Sequence, residues 1–331
     1  MSRAARDVVL LVTHRGDHYT VDRVAEALTA RGARPRRLDV DRFPTSLSLT
    51  SALDPDGASR RCAGDDRGAV AGDSVRAVWL RRLWPAALPE GLAPVVREGC
   101  QRESKAALVG WLEGLVDRRV VNPRDAEVAA ENKLRQLRLA QALGLQIPRT
   151  LVSNDPAQVR AFYDAVGGRV VTKMLTPLSQ SMRGGAARVR TSAVGPEDLE
   201  DLEGLRLSPM VFQERVAKAY ELRVAVVDTP GGGRCFAGAV DATRSDDGQV
   251  DWRRAATSQA AWSRGALPDE VAARLLELVR ALGLVYGAAD VIVTPEGGHV
   301  FLEVNPGGEW GMLERDAGLP IAAALADALL A

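Results

Sequence analysis

An α/β fold is predicted by two stretches of this chain, one near each end. At the N-terminal side Val8-Val-Leu-Leu-Val12, an amphipathic segment within Thr20–Arg31 closed by Gly32, and Arg37-Leu-Asp-Val-Asp41 read as strand, helix, strand. That alternation argues for a parallel sheet, because parallel neighbours need a crossover between them. Near the C-terminus Gly287-Ala-Ala-Asp290-Val-Ile-Val and His299-Val-Phe-Leu-Glu303-Val-Asn305 are two apolar or β-branched arms around Thr294-Pro-Glu-Gly-Gly298. They read as a β-hairpin turning at Glu296-Gly297 or Gly297-Gly298. Either two-residue turn sets Asp290 opposite Glu303 or Asn305, so all three side chains share one face. Two carboxylates and an amide oxygen on one face suit Mg²⁺, a hard cation that leaves its remaining positions to water and phosphate.

Composition narrows the class. At 331 residues and 46% hydrophobic, the chain can bury a large core and is long enough for two or three subdomains. Lys plus Arg balances Asp plus Glu at 43 each, so no global charge draws it to nucleic acid or to an anionic membrane. No apolar run reaches the roughly 20 residues of a membrane span, and Met1-Ser-Arg-Ala-Ala-Arg-Asp lacks a signal-peptide core. A soluble cytoplasmic protein is expected. Cys62, Cys100 and Cys235 are odd in number and far apart, which gives neither a disulfide framework nor a zinc spacing, and three histidines are too few for a His-built metal site.

The remaining elements follow in order. Residues 54–74, rich in Asp, Gly, Ser and Arg, read as a polar hairpin or loop. Val75 to Trp84 is a further strand, followed by a long helix inside Glu98–Leu115 and the short Val120-Val-Asn-Pro123. No GxGxxG follows the first strand, so this domain is expected to shape a cleft and not to bind a dinucleotide. Residues 124–144 read as one helix containing Lys133, followed by a strand from Arg149 to Val152. Gly167 to Met174 is a strand carrying Lys173, Leu175–Gly185 a Ser/Gly loop, and Ala187–Arg190 a returning strand. Such a loop can fold its N–H groups over phosphates, with Lys173 as a point charge beneath. Pro209 to Val216 is an apolar strand ending in a polar hinge, Gln213-Glu214, where backbone and Glu214 can meet an adenine edge. In Glu221–Val227 alternation buries Leu222, Val224 and Val226 and sends Glu221 and Arg223 together to the other face. Arg244, Arg253 and Arg254 add guanidinium forks of the kind that hold carboxylates and phosphates.

This order (lysine on a helix, lysine on a strand, Ser/Gly loop, hinge, Glu-x-Arg, then Asp and Glu-x-Asn) resembles the ATP-grasp superfamily over residues 122–308. Ala77-Val-Trp-Leu-Arg81-Arg82, Glu131-Asn-Lys133-Leu-Arg-Gln136, Lys218-Ala-Tyr-Glu221-Leu-Arg223, Asp251-Trp-Arg253 and Asn305-Pro-Gly-Gly-Glu-Trp310 are similar to the ATP-grasp peptide maturases that make graspetides, the microviridin-type omega-ester peptides. The resemblance implies an ATP-grasp fold, two α+β lobes clamping ATP, preceded by a Rossmann-like pre-ATP-grasp domain. It divides the chain at 1–123, 124–212 and 213–331.

By the same resemblance Lys133 and Lys173 hold phosphates, with Ser181, Gly184 and Gly185 in the covering loop. Gln213, Glu214 and Val216 meet adenine, and Glu221 meets the ribose. Arg223 and Arg244 act with Lys173 as catalytic clamps, and Asp290, Glu303 and Asn305 bind Mg²⁺. The implied activity converts Asp or Glu side-chain carboxylates of a ribosomal precursor peptide, leader plus core, into acyl phosphates. Thr or Ser hydroxyls, or Lys amines, then attack to close an ester or amide. A homodimer is the expected assembly. The polar 54–74 insert and the short hairpins depart from the family, so leader contacts do not carry over. Two alternatives stand beside this reading: a RimK-like ligase adding free amino acids, and a non-catalytic nucleotide-binding protein.

Overall fold

A computed structural model of the protein describes residues 6–57, 59–176, 191–241 and 262–331. The chain opens as strand β1 (Val8–Thr13), helix α1 (Tyr19–Thr29) and strand β2 (Arg34–Asp39). Every residue of β1 is buried, as befits a strand covered on both faces. Helix α1 turns Val21, Val24 and Leu28 inward, and Gly32 beyond it takes φ 76°, a left-handed conformation that costs glycine little. Strand β2 starts at Arg34 and not at Arg37, and Val40–Arg42 forms a 3-10 turn. It is a sheet edge, where arginines can keep their heads in water, so its hydrophobic pattern understates its length.

The polar stretch after β2 builds an antiparallel sheet of its own from β3 (Ser48–Leu53), β4 (Ser59–Asp65) and β5 (Gly68–Ala71). Arg67 ties it to β2 through a 2.8 Å bond to Asp39, and Arg36 pairs with Asp65. Strand β6 (Val75–Leu80), helix α2 (Pro94–Glu113) and strand β7 (Arg119–Val121) complete a parallel sheet in the order β2-β1-β6-β7. Helix α2 begins earlier than Glu98 because Pro94, with its preset φ, starts it.

The single helix expected over 124–144 is two, α3 (Arg124–Ala130) and α4 (Lys133–Ala142). The break is a cap: Asn132 is extended, and its side chain accepts from the Arg135 N–H at 3.0 Å. Lys133 is thus the first residue of α4 and not an interior one. An antiparallel sheet follows from β8 (Thr150–Ser153), helix α5 (Pro156–Ala165), β9 (Val170–Lys173), β10 (Ser192–Val194) and β11 (Met210–Glu214), in the order β10-β9-β11-β8. The returning strand expected at Ala187–Arg190 lies outside the described residues; β10 supplies a return, with Ser192 opposite Thr172.

The last sheet runs β14-β13-β12-β15-β16, from β12 (Tyr220–Val227), β13 (Arg234–Val240), β14 (Ser263–Arg264), β15 (Tyr286–Val293) and β16 (His299–Asn305). Helix α6 (Asp269–Ala281) packs Leu275, Leu278 and Val279 against Leu222, Val224 and Val226 on one face of that sheet. Helices α7 (Gly311–Ala317) and α8 (Ile321–Leu330) cover the other face. Leu325 and Leu329 of α8 share a core with Val9 and Leu11 of the parallel sheet and with Ala225 and Val227 of β12. The chain's last helix therefore welds the first sheet to the last. Among the described residues no helix is long and apolar enough to cross a membrane.

Candidate active site

The hairpin of β15 and β16 forms, and its register has an unexpected origin. The loop is Pro295-Glu296-Gly297, one residue longer than either expected turn: the Thr294 N–H donates to the Gly298 carbonyl and the Gly297 N–H to the Thr294 carbonyl, both at 2.9 Å. Gly297 takes φ 84°, the left-handed position that three-residue hairpin loops require. Continued unbroken, the pairing Val293↔His299 and Val291↔Phe301 would set Asp290 opposite Leu302 and turn Glu303 away. A bulge intervenes, and the ladder passes from Val291↔Phe301 to Asp290↔Glu303 with Leu302 as the extra residue. Phe301 and Val304 consequently both enter the core beside Ala289 and Val291. Glu303 and Asn305 share the opposite face with Asp290, as the sequence led us to expect.

Cations from three elements converge on that face. Arg223 of β12 lies directly across from Asp290 and donates from Nη1 to both its carboxylate oxygens, at 2.7 and 2.9 Å. Burial works against the Arg223 charge, yet Asp290, Tyr286 and Glu303 around it together more than offset that, and its proton is held more tightly than usual. Lys133, at the start of α4, pairs with Glu303, and Lys173, at the end of β9, stands 3.9 Å from the same carboxylate. Asn305 bridges the two acids, its Nδ2 lying 3.4 Å from Asp290 and 3.3 Å from Glu303. Asp290, Glu303 and Arg223 are all buried.

Two buried amides hold the hairpin in place. Gln136, one turn after Lys133 on α4, accepts from the Val304 N–H at 2.9 Å and donates to the Val304 carbonyl at 2.8 Å. Docking α4 there brings Lys133 to Glu303. Asn122, past the end of β7, accepts from the Val285 and Tyr286 N–H groups and donates to the Tyr286 and Pro306 carbonyls.

The other expected site residues are placed less directly. Glu221 stands on the same face as Arg223, opposite Ile292, and pairs with Lys218 at 2.5 Å. Gln213 is buried and donates to Thr150 Oγ1 at 3.0 Å. The Glu214 N–H goes to the Arg149 carbonyl and its carboxylate lies 3.6 Å from Arg169. These two end β11, which pairs with β9 so that Val211 faces Lys173; Val216 lies in the linker to β12. Ser181, Gly184, Gly185 and Arg244, with Arg253 and Arg254, fall outside the described residues.

Sequence reasoning left Arg81, Asp17 and Glu309 without a role. Arg81 is buried at the end of β6, donates to the Gly307 carbonyl at 2.8 Å, pairs with Glu309, and stands 3.4 Å from Asp17. Burial alone would push the Asp17 carboxyl up, but Arg81, with Thr13 and Thr20 donating to it, holds it below its ordinary range. Arg223 Nε reaches the Glu309 carbonyl at 3.4 Å, and the Tyr286 hydroxyl donates to the Gly308 carbonyl at 2.8 Å. Gly308 is there of necessity: a Cβ would come 2.5 Å from Ala288 and 2.6 Å from Arg223. Beside the loop, burial and the nearby Glu131 push the Glu127 carboxyl up to about 7. A signal was present in sequence: two arginines where the apolar run of β6 stops, and Gly-Gly-Glu straight after the hairpin.

Chemically, three cations face two carboxylates and an amide. Among the described residues no three His, Cys, Asp or Glu side chains gather into a metal cluster, so a metal held by Asp290 and Glu303 would draw its further ligands from an amide oxygen, water or a bound anion.

The model of the MvdD pre-ATP grasp domain matches residues 8–127. Macrocyclase MdnB from Microcystis aeruginosa MRC is 44% identical over 98% of this chain and 99% of its own, with a TM-score of 0.81. Macrocyclase MdnC from the same organism, solved with precursor peptide MdnA, is 33% identical over 98% and 99%, with a TM-score of 0.84. A RiPP-associated ATP-grasp ligase of Chryseobacterium gregarium, solved with ADP and a leader and core peptide, is 28% identical over 98% and 96%, with a TM-score of 0.89. No curated protein is significantly similar to the chain.

Proposed function

Because the chain belongs to the microviridin-type ATP-grasp macrocyclases, on 44% identity over nearly its whole length, we propose that it cross-links side chains of a ribosomal precursor peptide at the expense of ATP. The fold is the ATP-grasp fold with a pre-ATP-grasp domain before it. In our reading that domain spans 1–123, and the two lobes span 124–212 and 213–331. The observation that carries the proposal is the meeting of Lys133, Lys173 and Arg223, from three separate elements, over Asp290 and Glu303.

A carboxylate is a poor electrophile, so an Asp or Glu side chain of the peptide first attacks the γ-phosphate of ATP and becomes an acyl phosphate. Phosphoryl transfer of this kind is helped by positioning and charge neutralisation. Lys133 and Lys173 exchange Glu303 for the phosphates, and Arg223 braces the transferred group while keeping one edge on the hairpin. Asp290, Glu303 and Asn305, its amide turned to present the oxygen, would hold Mg²⁺, which would supply charge neutralisation for the phosphate oxygens. Gln213, Glu214 and Val216 line the adenine and Glu221 takes the ribose. Arg244, Ser181, Gly184 and Gly185, which lie outside the described residues, are assigned to the phosphates by the family resemblance. A Thr or Ser hydroxyl, or a Lys amine, then attacks the acyl carbon and releases phosphate. The partner is a leader-plus-core precursor, and the enzyme acts as a cytoplasmic homodimer.

Mg–ATP and a peptide bearing Thr and Glu side chains test this. Loss of about 18 Da per cross-link, read by mass spectrometry, is expected. A gain matching an added amino acid would favour the RimK-like alternative, and an unchanged mass across peptides would favour the non-catalytic one.

A further inference from the structure

Strand pairing gathers the side chains of the central sheet on two faces. Val211 of β11 lies across from Lys173 of β9, and Gln213, two residues on, lies across from Thr150 of β8. Opposed residues share a face and side chains alternate along a strand, so Thr150, Gln213, Val211 and Lys173 point the same way. Phe212 points the other way, into the core with Val159 of α5 and Val170. Lys173 is the residue of this face that approaches Glu303, at 3.9 Å. Gln213 is thus on the side of the sheet turned to the β15–β16 hairpin and away from the core under α5.

One orientation of the Gln213 amide keeps every bond at this spot. A threonine hydroxyl has a single proton to give, and Thr150 gives it to the Pro148 carbonyl at 2.9 Å. Toward Gln213 the hydroxyl can then only accept, and Gln213 Nε2 donates to it at 3.0 Å. Turning the amide over would set two acceptors against each other, or would withdraw the hydroxyl from the carbonyl of buried Pro148. Gln213 is itself 3% exposed, so little water is at hand to make up the loss. With Nε2 committed, the amide presents Oε1, an acceptor, where the turned amide would present a donor.

We infer that Thr150 is a specificity-determining residue of the nucleotide site: its hydroxyl fixes the Gln213 amide oxygen outward, to accept from the amino group of adenine and to refuse a base bearing an oxygen there. The inference rests on the proposed reading that Gln213 lines the adenine. An acceptor held against an amino group gains a bond. Held against a second oxygen it stays unpaired in a buried place, and sites built that way discriminate strongly. Thr150 acts through Gln213 and is a positioning residue.

Calorimetric titration of the full chain with Mg–ATP and with Mg–ITP, the inosine nucleotide that has an oxygen in place of adenine's amino group, tests this without any peptide. Wild type should bind ATP at least about tenfold tighter, roughly 1.4 kcal/mol. Thr150→Val removes the hydroxyl at nearly the same shape and frees the amide to turn, so the ratio should fall at least about fivefold. Thr150→Ser keeps the hydroxyl and should keep the ratio. Each ratio is taken on one protein, so it does not depend on how much of a variant is folded. A ratio unchanged in Thr150→Val, a ratio lost in Thr150→Ser as fully as in Thr150→Val, or wild type that binds both nucleotides alike overturns the inference. Failure of the macrocyclase reading is a separate result: no dehydrated peptide from wild type with Mg–ATP, whatever the binding ratio.

Discussion

Asp290→Asn should cost the protein both its activity and much of its stability, for one reason. The Asp290 carboxylate takes two bonds from Arg223, at 2.7 and 2.9 Å, and the two residues are 5% and 7% exposed. Neutralising the acid leaves a buried guanidinium without its counter-ion, a change that costs about 3–5 kcal/mol. Glu303 also bears on Arg223, which holds the loss toward the lower end. Even so it is a large share of the roughly 5–15 kcal/mol that keeps a domain folded. The double variant Asp290→Asn with Arg223→Met removes the orphaned charge as well, and should recover stability to within about 1–2 kcal/mol of wild type. It should not recover catalysis, because the metal ligand and the phosphate clamp of the proposed mechanism are both gone. Urea unfolding followed by tryptophan fluorescence reads the first quantity, and ADP release with peptide mass reads the second. A single variant as stable as wild type, or a double variant that cross-links, would refute the reasoning.

Arg223→Lys keeps the charge but loses the planar fork and its reach to the Glu309 carbonyl; turnover should fall at least about tenfold, or 1.4 kcal/mol of transition-state stabilisation, without rescue by more ATP. Unchanged ADP release and cross-linking would remove Arg223 from the site. Gly308→Ala places a methyl 2.5 Å from Ala288 and 2.6 Å from Arg223, so it should destabilise by about 1–3 kcal/mol and lower turnover further as Arg223 is displaced; a variant that behaves as wild type in both assays contradicts the packing described. Glu127 has its carboxyl raised from 4.5 to about 7, so the folded state binds its proton more tightly than the unfolded state does. Its contribution is whole below the unfolded value and is lost as pH rises through that window, about 3 kcal/mol at most. Glu127→Gln should therefore match wild type in acid and be more stable above about pH 7, and parallel melting curves across that range would show the carboxyl to be ordinary.

Much of the site was legible because strand periodicity is short-range. Alternation in Glu221–Val227 put Arg223 on the polar face, and the β-branched arms around Gly297 marked the hairpin. Its true register was not legible. Sequence alone does not choose between a two-residue and a three-residue turn; the bulge at Leu302 is selected by Phe301 and Val304 both seeking the core. The cap at Asn132 was present as a residue but masked by helix-favouring neighbours on both sides. Helix α8 went unread because Ile321–Leu330 is apolar almost all round, which buries it between two sheets and erases the helical period. Arg81 entered the sequence reading only as part of a family-like motif, without a role, since its acceptors Gly307 and Glu309 lie more than two hundred positions away.

Isotope transfer from the peptide to phosphate tests the mechanism most directly. With both oxygens of the substrate carboxylate replaced by the heavy isotope, attack on the γ-phosphate makes one of them the bridging atom of an acyl phosphate, and the hydroxyl's attack on the acyl carbon expels it with the phosphate. One heavy oxygen should then appear in inorganic phosphate for each cross-link formed, and one should remain in the new ester or amide. Phosphate free of label, with both heavy oxygens kept in the product, would mean that the hydroxyl and not the carboxylate is activated, and would contradict the account.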